Sequence, residues 1–277
     1  MTRALATAAA ALLDVSGVEF LAAGMSSTAW TAHGADGDEL VIRVPNGDGL
    51  RLVPDYRQEA RLNAALIAVG VPATATMVVT VDGTDCSVAP RRRGSPVTET
   101  GWTDAFVRDI AIALAAAHSL PPQQFGLPTA VDRFWLARIW PFDDLSLDEH
   151  PVTATFPGEV QRIRSYAERI LSAGADPPVV VHTDLHPQHL LQSPEGRLSA
   201  LLDFGDAFAG PAAWDFACLR YYHGDEIARR VAGLYPAGAE LREATTLLSM
   251  AFALYKLDKT PDRPDVVARV RRLLHPI

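Results

Sequence analysis

Apolar and polar positions alternate differently in the two parts of the chain. Between residues 17 and 90 the runs GVEFLAAG, STAWTAHGA, ELVIRVP, TMVVTVDG and TDCSVAP are short and rich in β-branched residues, with GADGDE and DGTD as turn signals, which predicts five strands. One segment breaks the pattern. In YRQEARLNAALIAVG, Leu62, Ala65, Leu66 and Val69 recur at helical spacing until Gly70, Val71 and Pro72 end the run. Glu59 lies one turn before Leu62, so this helix carries a carboxylate on its apolar face, where it needs a cationic partner. In ELVIRVP, Leu40, Ile42 and Val44 share one face and Arg43 projects from the other. Beyond RRRGSPV the period becomes helical, in WTDAFVRDIAIALAAAHS, FPGEVQRIRSYAERILSAG, AWDFACLRYYHGDEIARRVAGLY and AELREATTLLSMAFALYKL. The opening MTRALATAAAALL reads as a further helix rather than a signal peptide, because Asp14 ends its apolar run early.

These patterns predict an α+β protein with a small antiparallel-sheet lobe over residues 1–91 and a larger, mostly helical lobe over 92–277. The chain crosses between them near Val88 to Gly94. The 277 residues, 48% hydrophobic, suffice for a substantial core. A net charge of −8 argues against nucleic acid as a partner and suits a cationic small molecule better. No run reaches the ~18 apolar residues that span a bilayer. Cys86 and Cys218 lack CxxC spacing and read as buried thiols. The expectation is a cytoplasmic monomer or dimer with neither membrane nor nucleic-acid partners.

Chemistry concentrates in VVVHTDLHPQHLLQSPEGRLSALLDFGDA, residues 179–207. One reading is a metal cage of His182, Asp184, His186 and His189, completed by Asp203, as a metal-dependent hydrolase would use. A second is a polar loop of hydrogen-bonded histidines. The third is phosphoryl transfer, which needs a carboxylate to accept the proton of an attacking hydroxyl and an acid plus a second ligand to hold magnesium against a nucleotide. Asp184, Asp203 and His189 suit those roles. SPEGRLS forms a hairpin turn that returns Asp203 beside the start of its partner strand.

HTDLHPQHLL followed by ALLDFGDA resembles the catalytic and metal loops of the aminoglycoside phosphotransferase family, small-molecule relatives of protein kinases, whose pattern is HGDxxxxN and then a strand ending in Asp. GMSSTAW resembles the family's phosphate-covering loop, VIRVP its cation-bearing strand and LAAAHS a helix end, so the likeness covers residues 24–217. Two positions depart from the pattern: Thr183 stands where the glycine is usual, and His189 replaces the asparagine. The latter resembles the macrolide phosphotransferase branch, as does Arg43 in place of the strand lysine.

The resemblance implies a two-lobed protein-kinase-like fold and transfer of the γ-phosphate of ATP or GTP to a hydroxyl of a small molecule, an aminoglycoside or macrolide antibiotic, giving resistance or self-protection. It implies Asp184 as the catalytic base, and Mg²⁺ on Asp203 with either His189 or a water that His189 orients. Arg43, Glu59, Ser26, Ser27 and Thr28 hold the triphosphate, and the base lies against Ala89. Asp215 resembles the family's structural aspartate, expected to be buried with His182 or the loop amides. His118 reads as a complement to its helix dipole, and Arg91, Arg92 and Arg93 as a solvated hinge. Asp206, Asp225, Glu226 and Asp258 are either acceptor-cleft carboxylates or solvent-exposed. A metabolic kinase acting on a sugar or amino alcohol, a metal-dependent hydrolase and a nucleotide-binding pseudokinase are the alternatives.

Overall fold

Period-2 alternation produces a five-stranded antiparallel sheet in the order β1-β2-β3-β5-β4. Its strands are β1 (Ser16–Ala23), β2 (Ser27–His33), β3 (Glu39–Pro45), β4 (Met77–Val81) and β5 (Thr84–Pro90). The structure is a computed structural model that describes residues 1–24, 26–34, 36–46, 54–129, 150–165, 169 and 177–274. The N-terminal helix α1 (Thr2–Leu12) covers one face of the sheet, packing Ala6, Ala9 and Ala10 on Trp30, Ile42, Val44, Cys86 and Val88. The register pairs Ile42 with Trp30 and Val88, and Arg43 with Ala29 and Ser87. Every second residue faces the same way. Arg43, Ser87 and Ala89 therefore point away from α1, towards the rest of the chain.

Helix α2 (Tyr56–Ala68) starts where Asp55 accepts a hydrogen bond from the Gln58 N–H at 2.8 Å. Leu62 and Leu66 of α2 do not join the small sheet core. They are buried in the core of the helical lobe, with Phe106, Ile110 and Leu201. Polar contacts reinforce the attachment. The Gln58 side chain donates to the carbonyls of Phe125 and Gly126 at 3.1 and 2.8 Å, and Leu201 N–H donates to Pro72 O at 3.0 Å. Glu59, on the same helix face as Leu62, is thus held between the lobes by apolar burial on the larger one.

The remaining elements are β6 (Ser95–Pro96), α3 (Asp104–His118), α4 (Pro151–Thr155), α5 (Val160–Ser165), β7 (Val179–Val181), β8 (Leu190–Gln192), β9 (Leu198–Leu201), β10 (Phe208–Gly210), α6 (Ala213–His223), α7 (Asp225–Ala232), α8 (Arg242–Lys259) and α9 (Pro264–Leu274). Two short ladders, β6-β8-β9 and β10-β7, sit among these helices. Between them they fix the ends of the 179–207 segment. The architecture is α+β and two-lobed, as in protein kinases.

One helical reading changes, one helix is new, and one is tested only in part. The single helix expected over 213–235 is two, because Gly224 adopts φ +93°, a left-handed value that ends α6 and lets α7 restart. Helix α9 was not anticipated. Of the helix expected over 156–174, α5 covers Val160–Ser165, and residues 166–168 and 170–174 lie outside the described residues. Among the described residues no helix is long and apolar enough to cross a membrane.

Leu66 is fully buried at the α2 contact with the larger lobe. Leu66→Ala is expected to cost about 3 kcal/mol of unfolding free energy through lost burial and a residual cavity. Urea unfolding would measure this, and a loss under about 1 kcal/mol would mean that α2 is not anchored there.

Candidate active site

The guanidinium of Arg43 joins three elements. Nη1 donates to Glu59 Oε1 of α2 at 2.7 Å, and Nη2 donates to Asp203 Oδ1, just past β9, at 3.1 Å. A forked cation can engage two carboxylates at once, whereas an ammonium presents one compact charge. Gly205 allows the close approach. A Cβ there would stand 3.2 Å from Asp203 Oδ1, 3.4 Å from Glu59 Oε2 and 3.5 Å from Arg43 Nη2. The cluster has an electrostatic asymmetry. Burial raises the Glu59 carboxyl above its ordinary range in spite of Arg43. Desolvation would also raise Asp203, but Arg43 and His189 outweigh it and hold that carboxyl below the usual range. Asp203 has 41% of its side chain exposed, against 4% for Glu59. Glu59 is the internal anchor and Asp203 the accessible oxygen donor.

The loop bearing Asp184 leaves β7 and is braced from behind. Asp215, fully buried on α6, accepts hydrogen bonds from the N–H groups of His182 and Thr183 at 3.0 and 2.9 Å. Its Oδ2 also meets His118 Nε2 at 3.0 Å, and His118 Nδ1 reaches the Tyr235 hydroxyl at 2.9 Å. Burial opposes the charge of Asp215, yet His118, His182 and the Thr183 amide together hold its carboxyl below the ordinary value. His118 is therefore a buried partner of Asp215, not a surface complement to its helix dipole. Cys218 of α6 donates to Thr183 O at 3.1 Å.

Thr183 has φ +75°, the left-handed region that glycine enters freely and a β-branched residue does not. This explains the glycine of the family pattern at that position. Here the conformation is held by the bond to Asp215 and by the Thr183 hydroxyl, which donates to Asp206 O at 3.2 Å.

The Asp184 side chain has two unlike oxygens. Oδ1 accepts the Tyr222 hydroxyl at 2.7 Å and lies 3.6 Å from Lys256 Nζ. Oδ2 faces His189 Nδ1 at 3.5 Å. Burial would raise this carboxyl, but Lys256, His189 and Tyr222 together lower it, so it is ionised at neutral pH. Tyr222 stays protonated because burial and the adjacent Asp184 carboxylate push its hydroxyl well above the ordinary value.

His189 stands between the two aspartates. Its Nδ1 lies in hydrogen-bond contact with the Asp184 carbonyl at 2.8 Å, and its Nε2 faces Asp203 Oδ2 at 3.6 Å. Of this pair the Asp203 carboxylate suits a hard ion such as magnesium, while the softer imidazole suits it less and can instead orient one of its waters. Among the described residues there is no group of three or more His, Cys, Asp or Glu side chains placed to hold a metal ion. The cage expected of a metal-dependent hydrolase, with His182 as a ligand, is absent there. His182 Nε2 instead donates to Leu202 O at 2.7 Å, and its Nδ1 accepts from the Asp184 N–H at 3.2 Å.

The small-lobe residues are arranged less uniformly. Gly24 N–H donates to Ser27 O at 2.8 Å, closing the β1–β2 turn. The Thr28 hydroxyl donates to Asn46 Oδ1 at 2.7 Å, and the Asn46 side chain donates to Gly24 O at 3.0 Å. Thr28 thus braces the turn, and its hydroxyl is not presented to a triphosphate as expected. Ser26 and Ser27 are half-buried at the same turn. Ala89 pairs with Val41 of β3 and lies one residue past the last β4 pairing, Met77 with Val88.

At the joint, Arg91 pairs with Glu39 of the small lobe, and Arg92 donates to Ser199 O of β9 at 2.7 Å, linking the lobes. Asp225 is bound by Arg220 and Arg229 at 2.9 and 2.7 Å, and Asp258 lies 3.7 Å from Lys259. Tyr222, Lys256 and Tyr235 were not singled out from the sequence. Tyr222 and Lys256 reach the loop through the packing of α6 and α8, Tyr235 reaches it through His118 from the turn after α7, and only the scarcity of lysine, two in the whole chain, marked Lys256.

The loop's histidines make its stability pH-dependent. His223 Nε2 donates to Leu185 O at 2.8 Å, and burial lowers its pKa to about 4 against that hydrogen bond; burial also lowers His182 and His186. For a histidine depressed in the fold, the unfolded chain binds protons first as pH falls below ~6.5, so stability declines from there towards pH 4. His223 alone is expected to contribute a loss of about 2 kcal/mol by pH 5. Melting temperatures recorded from pH 7.5 to 5 should fall, and His223→Gln should make the slope shallower. An identical slope in the variant would contradict the assignment.

The same fold recurs in solved structures of phosphotransferases. The chain matches the family model described as "Phosphotransferase enzyme family" over residues 17–251. No curated protein sequence matches it. Among solved structures it is similar to macrolide 2'-phosphotransferase from Brachybacterium faecium, 18% identical, TM-score 0.62, covering 99% of this chain and 98% of that one. An aminoglycoside phosphotransferase in ternary complex with ADP and hygromycin B is 14% identical, TM-score 0.68, with 97% and 98% covered. An aminoglycoside 2''-phosphotransferase bound to GDP and kanamycin is 18% identical, TM-score 0.66, with 98% and 96% covered. At these identities the likeness is one of fold. The family model, spanning the sheet, the Arg43–Glu59–Asp203 cluster and the Asp184 loop together, establishes that the chain belongs to the phosphotransferase enzyme family.

Proposed function

We propose that the protein transfers the γ-phosphate of ATP or GTP to a hydroxyl group of a small molecule. The observation that supports this reading is the line of contacts from Glu59 through Arg43, Asp203 and His189 to Asp184, which joins residue types suited to a phosphate-binding cation, a metal ligand and a base where the two lobes meet.

Arg43 keeps a guanidinium fixed by Glu59 beside the opening, and its bond to Asp203 is the one that an incoming phosphate oxygen can replace. The β1–β2 connection, whose two ends Asn46 ties together through Thr28 and Gly24, would cover the other side of the phosphates. Asp203 and His189 would hold Mg²⁺, which when bound neutralises charge on the phosphates. Asp184 Oδ2 orients the acceptor hydroxyl and takes its proton as the oxygen attacks phosphorus and the nucleoside diphosphate leaves. The base of the nucleotide lies against β5 at Ala89, where β4 no longer covers the strand edge.

The acceptor class follows from the company the fold keeps. The related structures hold hygromycin B and kanamycin, and a macrolide phosphotransferase shares the fold. An antibiotic hydroxyl, on an aminoglycoside or a macrolide, is the acceptor proposed, with resistance or self-protection as the outcome.

Nucleotide consumption would be measured with ATP and with GTP across a panel of aminoglycosides, macrolides, sugars and amino alcohols. Turnover is expected with an antibiotic acceptor. Asp184→Asn is expected to lower kcat by about 10²–10⁴-fold while nucleotide still binds. Near-normal turnover by that variant would end the reading. Turnover with a sugar or amino alcohol alone would keep the mechanism and replace the acceptor.

A further inference from the structure

We propose that Lys256 is a positioning residue for the transfer, holding one oxygen of Asp184 so that only the other meets the acceptor hydroxyl. The inference rests on Asp184 acting as the base, and it concerns a residue beyond the stretch matched by the family model, which ends at 251.

Lys256 is one of two lysines in the chain. It comes from α8, a helix whose positions from Leu247 to Leu254 are buried without a break and which therefore has a fixed place in the lobe. Its ammonium stands 3.6 Å from Asp184 Oδ1. Three rings surround it, Phe252 with its centroid at 5.0 Å, Tyr222 at 5.5 Å and Tyr255 at 5.8 Å. Phe252 lies one helical turn before Lys256, and Tyr222 reaches in from α6. A cation over aromatic faces is attracted by their negative centres, and this holds the flexible lysine stem in one place. Only a quarter of the side chain is exposed.

The clamp acts on one oxygen. Lys256 and the Tyr222 hydroxyl both address Oδ1, the latter at 2.7 Å. Rotation of the carboxylate about its Cβ–Cγ bond would interchange the two oxygens, and two donors on Oδ1 oppose that rotation. Oδ2 is left on the side of His189, at 3.5 Å from Nδ1, and so towards Asp203. A hydroxyl bound to Oδ2 therefore sits on the phosphate side of the carboxylate, the orientation that attack requires. Among the described residues, Lys256 is the lysine or arginine whose charge lies against the Asp184 carboxylate.

Lys256→Met keeps the length and packing of the stem and removes the charge. The expected result is a kcat lowered by about 10–100-fold, with the nucleotide KM within about twofold of wild type and an unchanged melting temperature. Propylammonium added to Lys256→Ala is expected to restore part of the turnover in a saturable way, which a purely structural role would not allow. Should Lys256→Met fail to fold, Tyr222→Phe reads the same clamp from its other donor and should also lower kcat without raising the nucleotide KM. Wild-type kcat in Lys256→Met, or a loss confined to the nucleotide KM, would overturn the proposal. Asp184→Asn, assayed alongside, separates the two levels: if it is inactive while Lys256→Met is normal, only the role of Lys256 fails, whereas an active Asp184→Asn removes the base on which that role depends.

Discussion

The Arg43 guanidinium joins the two halves of this fold at the candidate active site. Arg43 sits on the one face of β3 that α1 leaves uncovered, and its fork reaches Glu59 and Asp203 at once. Each partner is fixed independently. Glu59 is set by the burial of Leu62 and Leu66 in the larger lobe, and Asp203 by the β8–β9 hairpin, where Leu190 pairs with Leu201 and Leu202 N–H donates to His189 O at 2.9 Å. Removing one member of such a cluster leaves a charge without its partner, which costs several kcal/mol when the site is desolvated. The cluster is therefore as much a statement about lobe geometry as about phosphate binding.

Behind it, a second network holds the Asp184 loop in a backbone shape that its sequence does not favour. Thr183 and Asp203 both have left-handed φ angles, +75° and +65°. Such conformations cost about 1–3 kcal/mol each and persist only where the surroundings over-determine them. Around Thr183 the surroundings are Asp215, Cys218 and the Asp206 carbonyl, with His118 and Tyr235 fixing Asp215 in turn. The chain from Tyr235 to Thr183 is buried or half-buried throughout, so its hydrogen bonds are shielded from water and aim the loop rigidly.

Much of this was legible in the sequence because it is local. Alternation in ELVIRVP put Arg43 opposite the apolar face, helical spacing put Glu59 on the face of Leu62, and the SPEGRLS turn implied that Asp203 returns to the Asp184 loop. What escaped notice depends on contacts far apart in the chain. His118 at a helix end looks like a dipole complement until Asp215, 97 residues on, packs against it. Tyr222 and Lys256 meet Asp184 only through the packing of α6 on α8, and no spacing rule encodes that. Thr28 was read as a phosphate-facing hydroxyl because nothing in STAW shows that Asn46 would take it. The helix over 213–235 was read as continuous because its apolar period runs through Gly224, and only the backbone angle shows the break.

The central claim is that Arg43 and Asp203 serve one bound triphosphate, and calorimetric titration of ATP and GTP, with and without Mg²⁺, tests it most directly. The account predicts that Arg43→Met weakens Mg²⁺–nucleotide binding at least tenfold, about 1.4 kcal/mol, and that Asp203→Asn removes the dependence of binding on Mg²⁺. Nucleotide affinity unchanged in Arg43→Met, together with an undiminished magnesium effect in Asp203→Asn, would contradict it.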